Sequence, residues 1–211
     1  MSPAPRILVI CHSRQGKTAT LVLNAAKAAA AALDSTGSVD VLCLEGTPAE
    51  GFRAAGLNVV SPKLDTDAGL RALAEYDGFL LASPVSVGGH SAALQAFLEQ
   101  TTPLIASGAL ASKPASVLFS AATPSGGIET AIRSLHAALA HHGMLLVTPC
   151  FRGMDDDMQA GVSASAAAFV AVTGIDGNAP LSEGSLRGAA RVGTTLAATA
   201  RRLAAGARAS P

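Results

Sequence analysis

Short apolar runs alternate with longer helix-forming stretches along this chain, and that alternation narrows the possible folds more than any other feature. The runs lie at residues 6–10, 39–44, 78–82, 115–120 and 144–148. Strands separated by helices at a spacing of ~30 to 40 residues imply βαβ units, hence a parallel sheet buried on both faces. The helical signals between the runs are specific. Residues 19–33 are an almost unbroken alanine-rich helix former. Ile128, Ile132, Leu135 and Leu139 fall on one helical face, with Glu129 and Arg133 four apart on another. Ser91 can cap a helix whose buried face is Leu94, Phe97 and Leu98. A last helix runs over about 182–205, with Leu186, Ala190, Leu196, Ala200 and Leu203 on one side. Two stretches, 45–67 and 149–181, break the rhythm and are rich in Gly, Pro and small polar residues. Loops of that length usually serve function or assembly.

Composition fits this plan. Apolar residues make up 49% of the 211 and charged residues 14%, enough to fill a core and too apolar for a disordered chain. The length suits one domain spanning 1–211. Fifteen basic and fifteen acidic residues leave no formal net charge. Neither nucleic acid nor an anionic membrane is therefore expected as partner, and self-association is permitted. Cys11, Cys43 and Cys150 are odd in number and widely spaced in apolar surroundings, so they read as free thiols. With no basic-then-apolar leader and no apolar run near the ~18 residues of a membrane span, a cytoplasmic location is the expectation.

Ligands of open α/β sheets sit beyond the carboxyl ends of the strands, which directs attention to three loops. The first reads Cys11-His12-Ser13-Arg14-Gln15-Gly16-Lys17-Thr18 and enters the first long helix. Amides at a helix start, the Ser13 and Thr18 hydroxyls and the Lys17 charge suit a phosphate dianion, and Gly16 lets the backbone approach it closely. A Walker A loop, G-x-x-x-x-G-K-[ST], would need Gly at the position of Cys11. A triphosphatase would also need a Mg²⁺-binding Asp at the end of a strand, whereas Asp77 precedes the third run. The second loop is Ser83-Pro84-Val85-Ser86-Val87-Gly88-Gly89-His90-Ser91. The third is Ser120-Ala121-Ala122-Thr123-Pro124-Ser125-Gly126-Gly127. Proline fixes the turn in the second, and small residues with free amides in both can border a flat ring. Asp155, Asp156 and Asp157 are read as a solvated run, and no metal is assigned.

From Leu73 to Met144 the chain resembles the WrbA family, flavodoxin-like type IV NAD(P)H:quinone oxidoreductases. The resemblance rests on Leu73-Ala74-Glu75-Tyr76-Asp77, Ser83-Pro84, Phe97-Leu98-Glu99-Gln100-Thr101, Ala106-Ser107-Gly108-Ala109-Leu110, Lys113 and Leu139-Ala140-His141-His142-Gly143-Met144. Gly174-Ile175-Asp176-Gly177 also looks like that family's late glycine-rich loop. The resemblance implies a flavodoxin-like α/β fold with five parallel strands in the order 2-1-3-4-5. It further implies bound FMN, NAD(P)H as co-substrate, a quinone or other flat acceptor reduced by two electrons in ping-pong fashion, and a homo-oligomer, dimer or tetramer. Carried over by position, Ser13, Arg14, Gln15, Gly16, Lys17 and Thr18 would hold the FMN phosphate. Pro84, Val85, Ser86 and Val87, with Ala121, Ala122, Thr123, Pro124, Ser125 and Gly126, would border the ring. His141 matches the family's flavin-contacting histidine and is the catalytic candidate; a helix-end role is its bland alternative. His142 reads as such an end residue, and His12 and His90 as solvated loop histidines flanking the site. The chain departs from the family where Gln15, Ser86-Val87 and Ile105 replace aromatic-bearing positions. Each lost stacking partner would cost the ring ~0.5 to 1.5 kcal/mol. A flavodoxin-like protein with a degenerate or absent FMN site, serving as a flavin store or interaction scaffold or acting on another substrate, is the competing expectation.

Overall fold

The computed structural model describes residues 4–34, 37–150, 163–165, 168–174, 177 and 179–206. Its strands are β1 (Arg6–Cys11), β2 (Ser38–Cys43), β3 (Asn58–Val60), β4 (Gly78–Pro84), β5 (Pro114–Ala121), β6 (Leu145–Leu146), β7 (Ser163–Ser165) and β8 (Ala168–Val172). Its helices are α1 (Lys17–Leu33), α2 (Glu50–Ala54), α3 (Asp67–Ala74), α4 (Ala92–Gln100), α5 (Thr102–Ser107), α6 (Ile128–His141) and α7 (Glu183–Gly206). The sheet order is β3-β2-β1-β4-β5-β8-β7, with β6 also on β5. All pairings are parallel except β7 with β8. The first four expected strands thus lie in the expected order, within a flavodoxin-like sheet that has more strands than the sequence suggested.

The fifth expected strand, 144–148, is the main correction. Only Leu145 and Leu146 pair, opposite Pro114 and Ala115, whereas Phe169 to Val172 pair with Leu118 to Ala121 farther along the same edge of β5. One lane of the sheet is therefore filled by two separate segments. Proline chemistry explains the break. Leu145 N–H donates to Lys113 and Val147 N–H to Ala115, so residue 149 would make the next bond. That residue is Pro149, which has no N–H. The stretches read as long loops contain α2 and β3 (45–67), and β7 and β8 (149–181). The Asp155-Asp156-Asp157 run lies outside the described residues.

Successive strand residues point to opposite faces, so each strand feeds two cores. Ile7, Val9 and Cys11 pack under α1 and α7, while Leu8 and Ile10 pack under α4 and α6. Small residues bring α1 and α7 close together: a Cβ built on Gly193 would lie 2.0 Å from the Ala25 carbonyl oxygen. At the amino edge, buried Asp40 accepts from the Tyr76 hydroxyl at 2.7 Å, Asn58 Nδ2 at 2.9 Å and Arg6 at 3.4 Å. This cluster locks the starts of β1 to β4 together and leaves the carboxyl edge for chemistry.

Candidate functional site

A cavity of about 310 Å³ opens at the carboxyl ends of β1, β4, β5 and β8. Its walls come from all three loops singled out in the sequence. The first supplies Ser13, Arg14, Gln15, Lys17 and Thr18, the second Pro84, Val85 and Ser86, and the third Ala121 and Ala122. Sequence reasoning missed His12, Ser91, Ser120 and Thr173 as wall residues; Gly174 and Gly177 of the late glycine-rich loop complete the wall. The volume sits at the lower end of the usual range for small-ligand sites.

The first loop is built as an anion cradle. Gly16, at φ +82°, starts α1 with no side-chain cap. Among the described residues, the backbone amides of Arg14, Gln15, Gly16, Lys17 and Thr18 have no protein acceptor, and the first amide in the row to find one is that of Ala19, which donates to Ser13 Oγ. Consecutive free N–H groups at the positive end of a seventeen-residue helix favour a bound anion. The loop is held from outside: Ser13 N–H donates to Thr47 Oγ1 at 2.8 Å, and the Thr47 hydroxyl donates to the Cys11 carbonyl. Lys17 Nζ donates to the Ala179 carbonyl at 2.9 Å, and Gln15 lies against Gly177. Thr18 is buried, with its hydroxyl 2.8 Å from that of Ser120.

The second and third loops are fixed to each other. Val85 N–H donates to the Ser120 carbonyl at 2.7 Å. Ser86 and Gly89 exchange both backbone bonds, putting Val87 (φ +49°) and Gly88 (φ +79°) at the tip of a tight turn. Gly127 meets this turn directly, since a Cβ there would lie 2.7 Å from Gly88 Cα. The Val87 side chain is fully exposed and does not face the cavity. Thr123, Pro124, Ser125 and Gly126 do not line the cavity, and a Cβ on Gly126 would lie 2.5 Å from the Thr123 hydroxyl. No Phe or Tyr lines the cavity among the described residues, which carries the lost aromatic positions into the structure.

The histidines distribute differently from expectation. His12 is not a solvated loop residue: it is 5% exposed, lines the cavity, and its Nδ1 has no hydrogen-bond partner. Burial, with Arg14 nearby, holds its imidazole below the usual histidine range. His141 is exposed and does not line its own chain's cavity. It ends α6, which begins beside the cavity at Gly127 and runs about 20 Å to the opposite edge of the sheet. His142 is a buried structural residue, with Nε2 2.9 Å from Thr101 Oγ1 and Nδ1 2.8 Å from the Ala138 carbonyl oxygen. His90 Nε2 pairs with Gln95 at 2.8 Å.

Among the described residues no helix is long and apolar enough to cross a membrane, and no group of three or more metal-ligating side chains forms.

Comparison with known proteins agrees with this geometry. A curated NAD(P)H dehydrogenase (quinone) from Chelativorans is 37% identical over 146 residues, covering 67% of this chain and 69% of that protein. A WrbA-like flavodoxin structure from Agrobacterium tumefaciens superposes with a TM-score of 0.62 at 20% identity, over 94% of this chain and 98% of that one. The apo form of an NADH:FMN oxidoreductase gives 0.61 at 19% identity, over 92% and 89%. At those identities the two structures establish the shared fold. A family model matches residues 5–157, and on that match the chain belongs to the NADPH-dependent FMN reductase family of oxidoreductase flavoenzymes.

Proposed function

We propose that this protein is an FMN-dependent NAD(P)H:quinone oxidoreductase that reduces a quinone or related flat acceptor by two electrons. The observation that carries this reading is the row of free amides from Arg14 to Thr18, beside Lys17, inside a cavity bordered by the second and third loops. The first amides of a helix have no intrahelical acceptor, and a row of them at a cavity wall is a ready place for an anionic ligand to complete the bonding. The donor set matches a phosphomonoester: backbone amides, one ammonium and one guanidinium, with no carboxylate among the described wall residues.

FMN held here would supply two-electron hydride chemistry between NAD(P)H and the acceptor, taken in turn. The chain's own contribution is binding and exclusion. Lys17 and the α1 amides hold the phosphate, Thr18 and Ser120 brace the floor, and Val85, Ser86, Ala121 and Ala122 frame the ring with backbone groups and small side chains. Because small residues stand where aromatics would stack, the slot is open to acceptors of varied outline. His141 has no part in this cavity within one chain. A homodimer or homotetramer and a cytoplasmic setting complete the proposal.

The test is fluorescence titration with FMN, followed by NADH and NADPH oxidation with benzoquinone. Saturable quenching with turnover supports the reading; FMN-saturated protein without turnover overturns it. The absence of aromatic side chains from the described wall residues favours a second reading, a flavin-holding scaffold, for which binding without turnover is the signature.

A further inference from the structure

Cys11 ends β1, Cys43 ends β2, and the two stand directly opposite each other as the last pair in the parallel register of those strands. Neighbouring strands lie about 4.8 Å apart, inside the Cα window of about 4.4–6.8 Å that a disulfide can span. Both side chains point to the same face of the sheet and pack in the core beneath α1 and α7. Both are free thiols, Cys11 buried and Cys43 half-buried. Burial raises the Cys11 thiol and the nearby Cys43 adds to the rise, so the two lie close enough to interact. The third cysteine, Cys150, follows β6, whose lane is three strands from β1, about 14 Å away.

The pair lies at the foot of the anion cradle. The Cys11 carbonyl accepts from Leu44 N–H at 2.8 Å and from the Thr47 hydroxyl at 3.2 Å, and Thr47 Oγ1 accepts the Ser13 N–H at 2.8 Å. The segment just past Cys43 thus holds the segment just past Cys11. A shift at either thiol passes into the row of free amides from Arg14 to Thr18.

We infer that Cys11 and Cys43 are a disulfide-forming site, oxidised by hydrogen peroxide, whose closure loosens the anion cradle. Cys43, the thiol with accessible surface, gives its proton to solvent and attacks one peroxide oxygen as thiolate. The O–O bond breaks, and hydroxide leaves and recovers that proton as water, giving the sulfenic acid of Cys43. The Cys11 sulfur attacks the sulfenic sulfur, the S–O bond breaks, and the hydroxyl departs as water with the Cys11 proton. Two thiols lose two electrons and one peroxide becomes two waters. Burial raises both thiols, so the site answers to excess oxidant rather than acting as an activated, peroxidase-like cysteine. Matched side chains of parallel strands keep nearly the strand spacing at Cβ, against about 3.8 Å in a disulfide, so closure draws the strand ends together by about 1 Å. That movement displaces the bonds to the Cys11 carbonyl and, through Thr47, to Ser13. A bridge held under such tension is readily reduced, which makes the change reversible. The covalent half of this inference is independent of flavin; only the coupling rests on the cradle holding a phosphate.

The test uses Cys150→Ser protein, which leaves Cys11 and Cys43 as its two cysteines. Native protein is treated with hydrogen peroxide, unfolded in urea with iodoacetamide, and weighed by mass spectrometry. Expected are a loss of two hydrogens, no alkylation, and a proteolytic peptide joining Cys11 to Cys43, all reversed by dithiothreitol. Cys43→Ser in the same background should give no such peptide. Two alkylated thiols after peroxide, oxygen added to Cys43 without a bridge, or bridging only between chains overturns the site. The effect on the cradle is read by calorimetry with inorganic phosphate and by fluorescence with FMN. Oxidation is expected to weaken both by at least about threefold, since displaced hydrogen bonds weaken steeply. Dithiothreitol should restore them, and the Cys43→Ser protein should be indifferent to peroxide. Bridged protein that binds both ligands as the reduced protein does, or reduced protein that binds neither, overturns the coupling. If phosphate binds and FMN does not, the flavin reading fails and the phosphate titration alone decides the coupling.

Discussion

Lys17 Nζ donates to the carbonyl oxygen of Ala179 at 2.9 Å, joining residues 162 apart in the chain. The bond ties the late loop to the head of α1 and holds the ammonium at the cavity wall. Lys17→Met is expected to weaken FMN by about tenfold, in line with ~1.5–3 kcal/mol for a hydrogen bond to a charged group. It should also flatten the salt dependence of binding, because a point charge has been removed. Titrations at two ionic strengths check both effects; unchanged affinity would remove Lys17 from the phosphate site.

Gly127 has φ +82° and leaves no room for a Cβ beside Gly88 Cα. Gly127→Ala should force the second and third loops apart, costing about 1–3 kcal/mol in urea denaturation. FMN affinity should fall with it. Gly126→Ala, whose nearest obstacle is the Thr123 hydroxyl rather than backbone, is expected to be milder in FMN titration.

His12 gives the protein a definite acid sensitivity. Its native pKa is lowered, chiefly by burial and secondarily by Arg14. As pH falls below the free-histidine value near 6.5, the unfolded chain takes up a proton that the native state resists. Stability from this group is thus present above about pH 6.5 and lost as pH drops through the lowered native value. Urea denaturation of wild type and His12→Gln at pH 7.5 and 5.5 should show a smaller acid loss in the variant. An identical loss would mean that His12 titrates as it does in water.

Tyr76 donates to the buried carboxylate of Asp40 at 2.7 Å, at the edge away from the cavity. Tyr76→Phe removes that donor while Asn58 and Arg6 remain. A loss of about 1.5–3 kcal/mol is expected. FMN titration should be unchanged, which separates the stability of the amino edge from ligand binding at the carboxyl edge.

The parts of this fold legible in the sequence were those with a long, repeated signal. Lys17–Leu33 and Ile128–His141 follow their apolar spacing, and Ser91 caps α4 as its position suggested. The elements missed are too short to show a period: five residues in Glu50–Ala54, three in Asn58–Val60. Ala168–Val172 escaped notice because it lies among small residues, far from the run whose lane it completes. At the site, loop identity was readable from Gly, Ser and Pro after strands. Burial was not: His12 and Thr18 sit in a polar-looking loop, yet the fold closes over both. Spacing also could not reveal that His141 ends its helix on the far edge, since this depends on which way α6 runs from β5.

The divided fifth lane has a consequence for how such a chain can change. Leu145 and Leu146 fill its lower part and Phe169 to Val172 its upper part, each held separately by β5. Because the two halves rest on different residues of β5, damage to one of them stays local: a substitution at Leu145 or Leu146 acts on the amino-edge half of the lane, and one at Phe169 or Val170 on the half that backs the ligand-facing edge.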